Sequence, residues 1–343
     1  MTMIAPLPEV AAFIARPQGL RNKGQEVATD DVLPVLNPPS GGHLATTAAA
    51  DVAEVDLTLQ AGLPPGVVIV IPGHGGVAGA ALAAHAGVAM LGFTGSTDTG
   101  RRIAEASFGN LKRVALEPGC KAANIIIADA DPDRAIPGAF RAACGNIGQS
   151  CTGGARLYGH ASLYARVVNG LAALARGLKL GPSVGPGMAD PGHDLGPGSS
   201  ERQMQKALGF MDQGDLVTGG RRLGHQGWFV APTILTGVTD AMRVARQEVF
   251  GPVLSVLTFT EAADVLGCAY ATPYGLAAGV RTRDVTRARR MAGQLQAGTV
   301  RVNCWGETDA AARFAGVKQS GQGREIGREA IALYSRTKCV WLA

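Results

Sequence analysis

The chain has 343 residues, 46% hydrophobic and 17% charged, with 48 glycines, a formal net charge of +5 and a pI of about 9.0. This is the composition of a soluble globular chain, long enough for two domains, or for one large domain with an appendage. The basic residues are scattered and no aromatic platform accompanies them, which argues against nucleic acid, and no apolar stretch is long enough to span a bilayer.

The densest basic cluster, residues 281–290, reads as a solvated helix face. The six cysteines form no C-x-x-C pair and the six histidines stand apart, so reduced thiols are expected and no metal site. The first residues lack the form of a signal peptide, and the expected location is cytoplasmic.

In chain order, 11–14 reads as a short helix, 32–36 as a strand before the turn Asn37-Pro38-Pro39-Ser40-Gly41-Gly42, and 51–60 as a helix. From Gly62 a regular alternation begins. Strands are expected at 67–71, 88–93, 114–116 and 125–127, with helices at 77–85 and 97–106 and a turn at 94–96. Strand, glycine turn, helix and strand in succession describe parallel βαβ units. Residues 131–148 read as a helix leading to Cys151, despite Pro137 and Gly145. A strand lies around Leu157, an amphipathic helix over 163–178, a proline- and glycine-rich surface loop over 181–199 and a helix over 202–213. Residues 229–235, 253–259, 276–280 and 298–303 read as extended, 283–296 as a helix and 335–342 as a terminal strand.

Two glycine turns follow strands and open helices. Gly73-His74-Gly75-Gly76, with Gly79 on the helix it opens, is the setting for a dinucleotide pyrophosphate on a helix N-terminus. The same turn also suits simple close packing of helix on strand, and His74 reads as an exposed loop residue. Gly95-Ser96-Thr97-Asp98-Thr99-Gly100 repeats the arrangement at the next strand end, which favours a nucleotide.

The chemistry centres on Cys151, in Gly148-Gln149-Ser150-Cys151-Thr152-Gly153-Gly154, and on Glu117 in Leu116-Glu117-Pro118-Gly119. A cysteine flanked by glycines lets a carbonyl approach both the sulfur and a backbone N–H, where a thiolate attacks carbon. A desolvated Glu117 would have a raised pKa and act on water as a base. Cys120, Cys144, Cys268, Cys304 and Cys339 read instead as buried small hydrophobes.

A family resemblance rests on several motifs in order. They are Gly62-Leu63-Pro64-Pro65-Gly66-Val67-Val68, Phe93-Thr94-Gly95-Ser96-Thr97, Leu116-Glu117, Gly148-Gln149-Ser150-Cys151, Glu248-Val249-Phe250-Gly251-Pro252 and Lys318-Gln319-Ser320-Gly321. Together they resemble the NAD(P)-dependent aldehyde dehydrogenase superfamily, over nearly the whole chain from about residue 30. The resemblance implies an α/β fold, with an open parallel-sheet nucleotide-binding domain and an α/β catalytic domain. Residues 1–60 and 61–119 would belong to the first, 120–320 to the second, and 321–343 to a C-terminal segment and assembly strand.

Cys151 matches the nucleophile and Glu117 the base; Gly95, Ser96, Thr97 and Gly100 match the pyrophosphate side; Glu248 and Phe250 match the residues that hold the nicotinamide ribose and ring. The implied cofactor is NAD, with NADP not excluded, the partner a small aldehyde and the family assembly a homo-oligomer.

The chain also departs from that family. A large block is absent between Gln60 and Ala61, and with it the Pro-Trp-Asn and Lys-Pro-x-Glu motifs and the assembly hairpin. Smaller gaps are expected near 213–215 and 262–270. Pro118 and Cys120 replace the usual leucine and glycine, and Arg313-Phe314-Ala315-Gly316 replaces Pro-Phe-Gly-Gly. The first sheet is therefore expected to be incomplete. A truncated, catalytically impaired relative and a cofactor-free thioester or ester hydrolase remain as alternatives to the working dehydrogenase.

Overall fold

The computed structural model describes residues 71, 73–181 and 194–342, together with the backbone of four strands nearer the N-terminus. Those strands are β1 (Leu20–Asn22), β2 (Gln25–Val27), β3 (Val32–Leu36) and β4 (His43–Ala48), paired antiparallel as β1–β2 and β3–β4. The expected helices at 11–14 and 51–60 and the expected strand at 67–71 lie outside the described residues, apart from residue 71.

The first glycine turn becomes a π-helical turn, Gly75–Gly79, running into α1 (Ala80–Ala84). Then come β5 (Met90–Gly95), α2 (Thr97–Ser107) and β6 (Arg113–Pro118). Strands β5 and β6 pair in parallel, in register from Met90–Arg113 to Gly95–Pro118, and form a two-stranded sheet among the described residues. The strand expected to end at Phe93 runs on to Gly95, which leaves Ser96 alone to turn the chain. Its hydroxyl accepts from the Thr99 N–H at 3.2 Å and caps α2.

The larger sheet holds β7 (Ala123–Ile126), β8 (Arg156–His160), β9 (Asp215–Thr218), β10 (Thr233–Thr236), β11 (Val253–Phe259), β12 (Ala277–Arg281) and β13 (Thr299–Val302). Their order is β13-β12-β7-β8-β11-β10-β9, parallel throughout except for β9 against β10. Central strands are buried on both faces, which is why they read as unbroken apolar runs.

Helices α3 (Pro132–Cys144) and α4 (Tyr164–Gly177) cover one face, packing Ile136, Phe140, Val167 and Leu171 on Ile126, Leu157 and Val256. Helix α5 (Glu201–Leu208), the short α6 (Arg243–Arg246), α7 (Ala262–Tyr270) and α8 (Val285–Gln294) supply Ala207, Val244, Val265 and Met291 to the other face, against Ile125, Leu257 and Val280. The chain thus winds a mainly parallel sheet from both sides, as expected for an α/β fold.

Three expectations need correction. The helix expected over 131–148 stops at Cys144, because Asn146 and Ile147 turn left-handed, with φ of 51° and 53°. The helix expected over 202–213 ends at Leu208. Residues 335–342 form no strand: they follow a last helix, α9 (Glu329–Tyr334), and leave Val340, Trp341 and Leu342 exposed. A strand needs a neighbour to satisfy its backbone, and none among the described residues lies beside this segment.

Candidate active site

Glu117 sits inside β6 rather than beyond its end, and its side chain is only 3% exposed. The segment after β13 folds back on it. The Leu116 and Gln322 backbones exchange hydrogen bonds at 2.9 and 3.0 Å. Ser320, fully buried, donates to the Gly119 carbonyl at 2.8 Å and accepts from the Gly275 N–H at 3.0 Å. The Glu117 carboxylate is thereby shut from water, and neither oxygen has a hydrogen-bond partner among the described residues. Burial, then the nearby Glu325 charge, raise its pKa from 4.5 to about 7, against weaker opposition from the Gly316 backbone and Arg324.

Cys151 follows α3 through a tightly folded loop. After the two left-handed residues, Gly148 has a φ of +69°, and a Cβ there would lie 2.2 Å from the Gly251 carbonyl oxygen. Only glycine satisfies both demands. This contact sets the Cys151 turn against the Glu248–Pro252 segment. The thiol is half-buried against a cluster that includes Ala122, Leu276 and Ala277, flanked by Tyr274, Trp305 and Phe314. Burial first, then the Glu248 charge, raise its pKa; the N–H groups of Cys151 and Thr152 oppose this, and Glu117 adds to it.

Glu248 reaches across to the strand that carries Glu117. Its Oε1 accepts from the Cys120 N–H at 3.2 Å, and its carboxyl fills the space a side chain on Gly119 would need. Burial raises its pKa, while the Cys120 N–H, Lys206 and Lys121 pull it down. The structure therefore brings Cys151, Glu117 and Glu248 into one electrostatic unit.

Phe250 lies on the same segment, half-buried and with a φ of 55°. Thr97 is half-buried at the start of α2. Gly100 is buried against Pro118 and the Phe93 ring. Gly95 and Ser96 are exposed at the α2 N-terminus, and the Ser96 oxygen is engaged by its own helix. Gly75 lies in the exposed π turn and Gly79 at its half-buried end, leading to α1, which packs on α2; His74 is exposed as expected.

A dinucleotide can be tested against this arrangement. Among the described residues, a side-chain atom placed on Gly75, Gly76 or Gly79 would meet nothing within 4 Å, so the turn presents open backbone to a ligand there. The α2 N-terminus favours negative charge. Glu248, half-buried and close enough for its charge to act on the thiol, is an acceptor suited to hydroxyls. These residues fit the pyrophosphate and nicotinamide-ribose ends of NAD(P).

Several features escaped the sequence reading. Cys120 and Cys144 are buried, but Cys268 and Cys304 are half-buried and Cys339 exposed. Arg281, taken as part of a solvated face, is 4% exposed inside β12, and Arg301 is 5% exposed inside β13. Lys121 is fully buried, its Nζ has no partner among the described residues, and burial and the Arg156 charge lower its pKa to about 7. A lone lysine between Cys120 and the apolar run that starts at Ala122 was the one available signal for it.

The family model described as "Aldehyde dehydrogenase family" matches residues 33–340. The chain belongs to the aldehyde dehydrogenase family. It is 41% identical over 290 residues to retinal dehydrogenase 2 of Gallus gallus, covering 83% of this chain and 55% of that protein. It is 39% identical over 313 residues to a putative aldehyde dehydrogenase, DhaS, of Bacillus subtilis, covering 90% and 61%. The structure superposes on the NAD+ complex of a Bacillus cereus aldehyde dehydrogenase with a TM-score of 0.93 at 26% identity, covering 99% of each chain. A putative aldehyde dehydrogenase of Burkholderia cenocepacia matches at TM-score 0.78 and 42% identity, covering 82% of this chain and 58% of that one. The chain thus spans between 55% and 61% of the length of these two curated relatives.

Proposed function

We propose that the chain oxidises an aldehyde to a carboxylic acid with NAD(P)+, through Cys151 and Glu117. The observation that carries this reading is the buried Glu117 carboxylate, whose oxygens have no hydrogen-bond partner within bonding distance among the described residues, whose pKa is raised to about 7, and whose charge acts on the half-buried Cys151 thiol.

The Cys151 thiolate adds to the carbonyl carbon and gives a thiohemiacetal, whose oxyanion takes a hydrogen bond from the Cys151 backbone N–H. A bound NAD(P)+ would supply the hydride acceptor, and a thioester would remain on the Cys151 sulfur. Glu117, with a pKa matched to neutral pH, removes a proton from water as the water attacks the thioester carbon. The tetrahedral adduct collapses, and the acid leaves while the thiolate returns. Gly75, Gly79, Gly95, Ser96, Thr97 and Gly100 would hold the pyrophosphate side, and Glu248 and Phe250 the nicotinamide ribose and ring.

The test is NADH formation by the purified chain with a short aliphatic aldehyde, beside Cys151→Ser. Turnover abolished by that change supports the reading. A folded chain that forms no NADH at any pH from neutral to alkaline overturns it.

A second reading is a truncated, catalytically impaired relative. The raised pKa of Cys151 favours it, because only backbone N–H groups oppose the neighbouring carboxylates. So does the absence from the sequence of a Pro-Trp-Asn motif, since losing one oxyanion donor typically costs about 10²–10³ in rate.

A further inference from the structure

Strand order places a topological switch in the larger sheet. From β7 the chain crosses by α3, on one face, to β8. From β12 it crosses by α8, on the opposite face, to β13 on the other side. Strands β7 and β12 are adjacent, so the two crossovers diverge and leave a crevice beyond their carboxyl ends. In open α/β sheets this is where ligands bind. Cys151 lies before β8, at the amino ends of the strands, so the crevice is at the far end of the sheet from the thiol.

The crevice is a cavity of about 240 Å³, walled by Arg134 at the start of α3, Arg281 and Arg283 at the end of β12, and Asn303 after β13. Asp131 is the one carboxylate in its wall, against three arginines. Asp131 is already committed: it accepts from the Asp133 N–H at 3.1 Å and stands 3.8 Å from Arg283. The neighbouring Asp129 is held by Thr282 at 2.8 Å and by Arg287 at 2.8 Å.

Arg281 lies in the wall of the crevice, behind the exposed arginines. It is 4% exposed, and its Nε and Nη2 have no hydrogen-bond partner among the described residues. Its guanidinium lies on α3 at Gly138, where any side chain would collide with it. Burial lowers its pKa; Cys304 and Glu307 oppose this and Arg141 adds to it. A buried guanidinium costs free energy, which a nearby anionic charge offsets. The exposed guanidinium groups of Arg134 and Arg283 match the oxygens of a phosphate.

We propose that this crevice binds a phosphate-type oxyanion, gripped by Arg134 and Arg283, with the buried charge of Arg281 behind them. The anion is either free phosphate or the phosphate of a small monoester, and the site is separate from the thiol centre.

The test is calorimetric titration of the whole chain with inorganic phosphate and, separately, with glycerol 3-phosphate, at constant ionic strength set by sodium chloride. Arg134→Ala combined with Arg283→Ala removes two exposed side chains and leaves the buried Arg281 in place; Arg102→Ala, on α2, is the control. Saturable binding weakened by about tenfold or more in the double variant, and unchanged in the control, is expected. The tighter of the two anions identifies the source. No saturable binding of either anion, or equal affinity in the double variant, overturns the proposal.

Discussion

Replacing Glu117 by glutamine keeps the shape of the side chain and removes its charge. The carboxyl is 3% exposed, and its pKa rises from 4.5 to about 7 on folding, chiefly by burial. A folded pKa above the unfolded one means that the folded chain holds the proton more tightly. The contribution is neutral below about pH 4.5, where both states are protonated. It turns against folding as the pH climbs toward 7, and is complete above that. The displacement corresponds to at most about 3 kcal/mol, since each pKa unit is about 1.36 kcal/mol. Glu117→Gln should therefore match the parent chain in urea unfolding near pH 4.5 and exceed it near pH 8.5, by up to about 3 kcal/mol. In the same variant a single burst of NADH should appear without steady turnover, because the thioester forms but water is not activated. Equal stability of the two chains at both pH values would refute the claim that this carboxylate is desolvated.

Two further outcomes follow from the loop that carries the thiol. Gly148→Ala places a methyl against the Gly251 carbonyl oxygen in a left-handed residue, and should abolish NADH formation while far-UV circular dichroism stays near that of the parent; parental activity would count against the tight turn. Alkylation of Cys151 by iodoacetamide, followed on its own peptide by mass spectrometry, should keep accelerating beyond pH 9, because burial and Glu248 raise the thiol above its ordinary value. Glu248→Gln should bring that profile toward lower pH, and a plateau at or below pH 9 in the parent would contradict the charge arrangement.

Where one physical effect dominated, the sequence was legible. Residues 253–259 were read as a strand to the residue, because a β-branched and apolar run has no competing period. The amphipathic helix over 163–178 appeared as Tyr164–Gly177. The pairing of Cys151 with Glu117 came from flanking glycines and an apolar run, and the structure brings the two groups into one field. What was missed depends on groups distant in sequence. Arg281 and Arg301 look solvated in a basic chain, yet they lie within strands beneath α3 and Trp305. Residues 335–342 read as a strand, but a local sequence does not supply the neighbouring strand such an element needs. Ser320 gave no local sign that it ties Gly119 to Gly275 across some two hundred residues.

Asn146, Ile147 and Gly148 are three successive residues in the left-handed region, between the end of α3 and the thiol. The position of the sulfur is thus set by torsion angles of the main chain rather than by side-chain contacts alone. Exchanging outward side chains of α3 leaves those angles in place. Deleting or inserting a single residue between Cys144 and Cys151 breaks the sequence of angles, and the sulfur then points elsewhere even though every neighbouring group is retained. In a library of variants this stretch should tolerate changes of chemistry at Gln149 far better than any change of length.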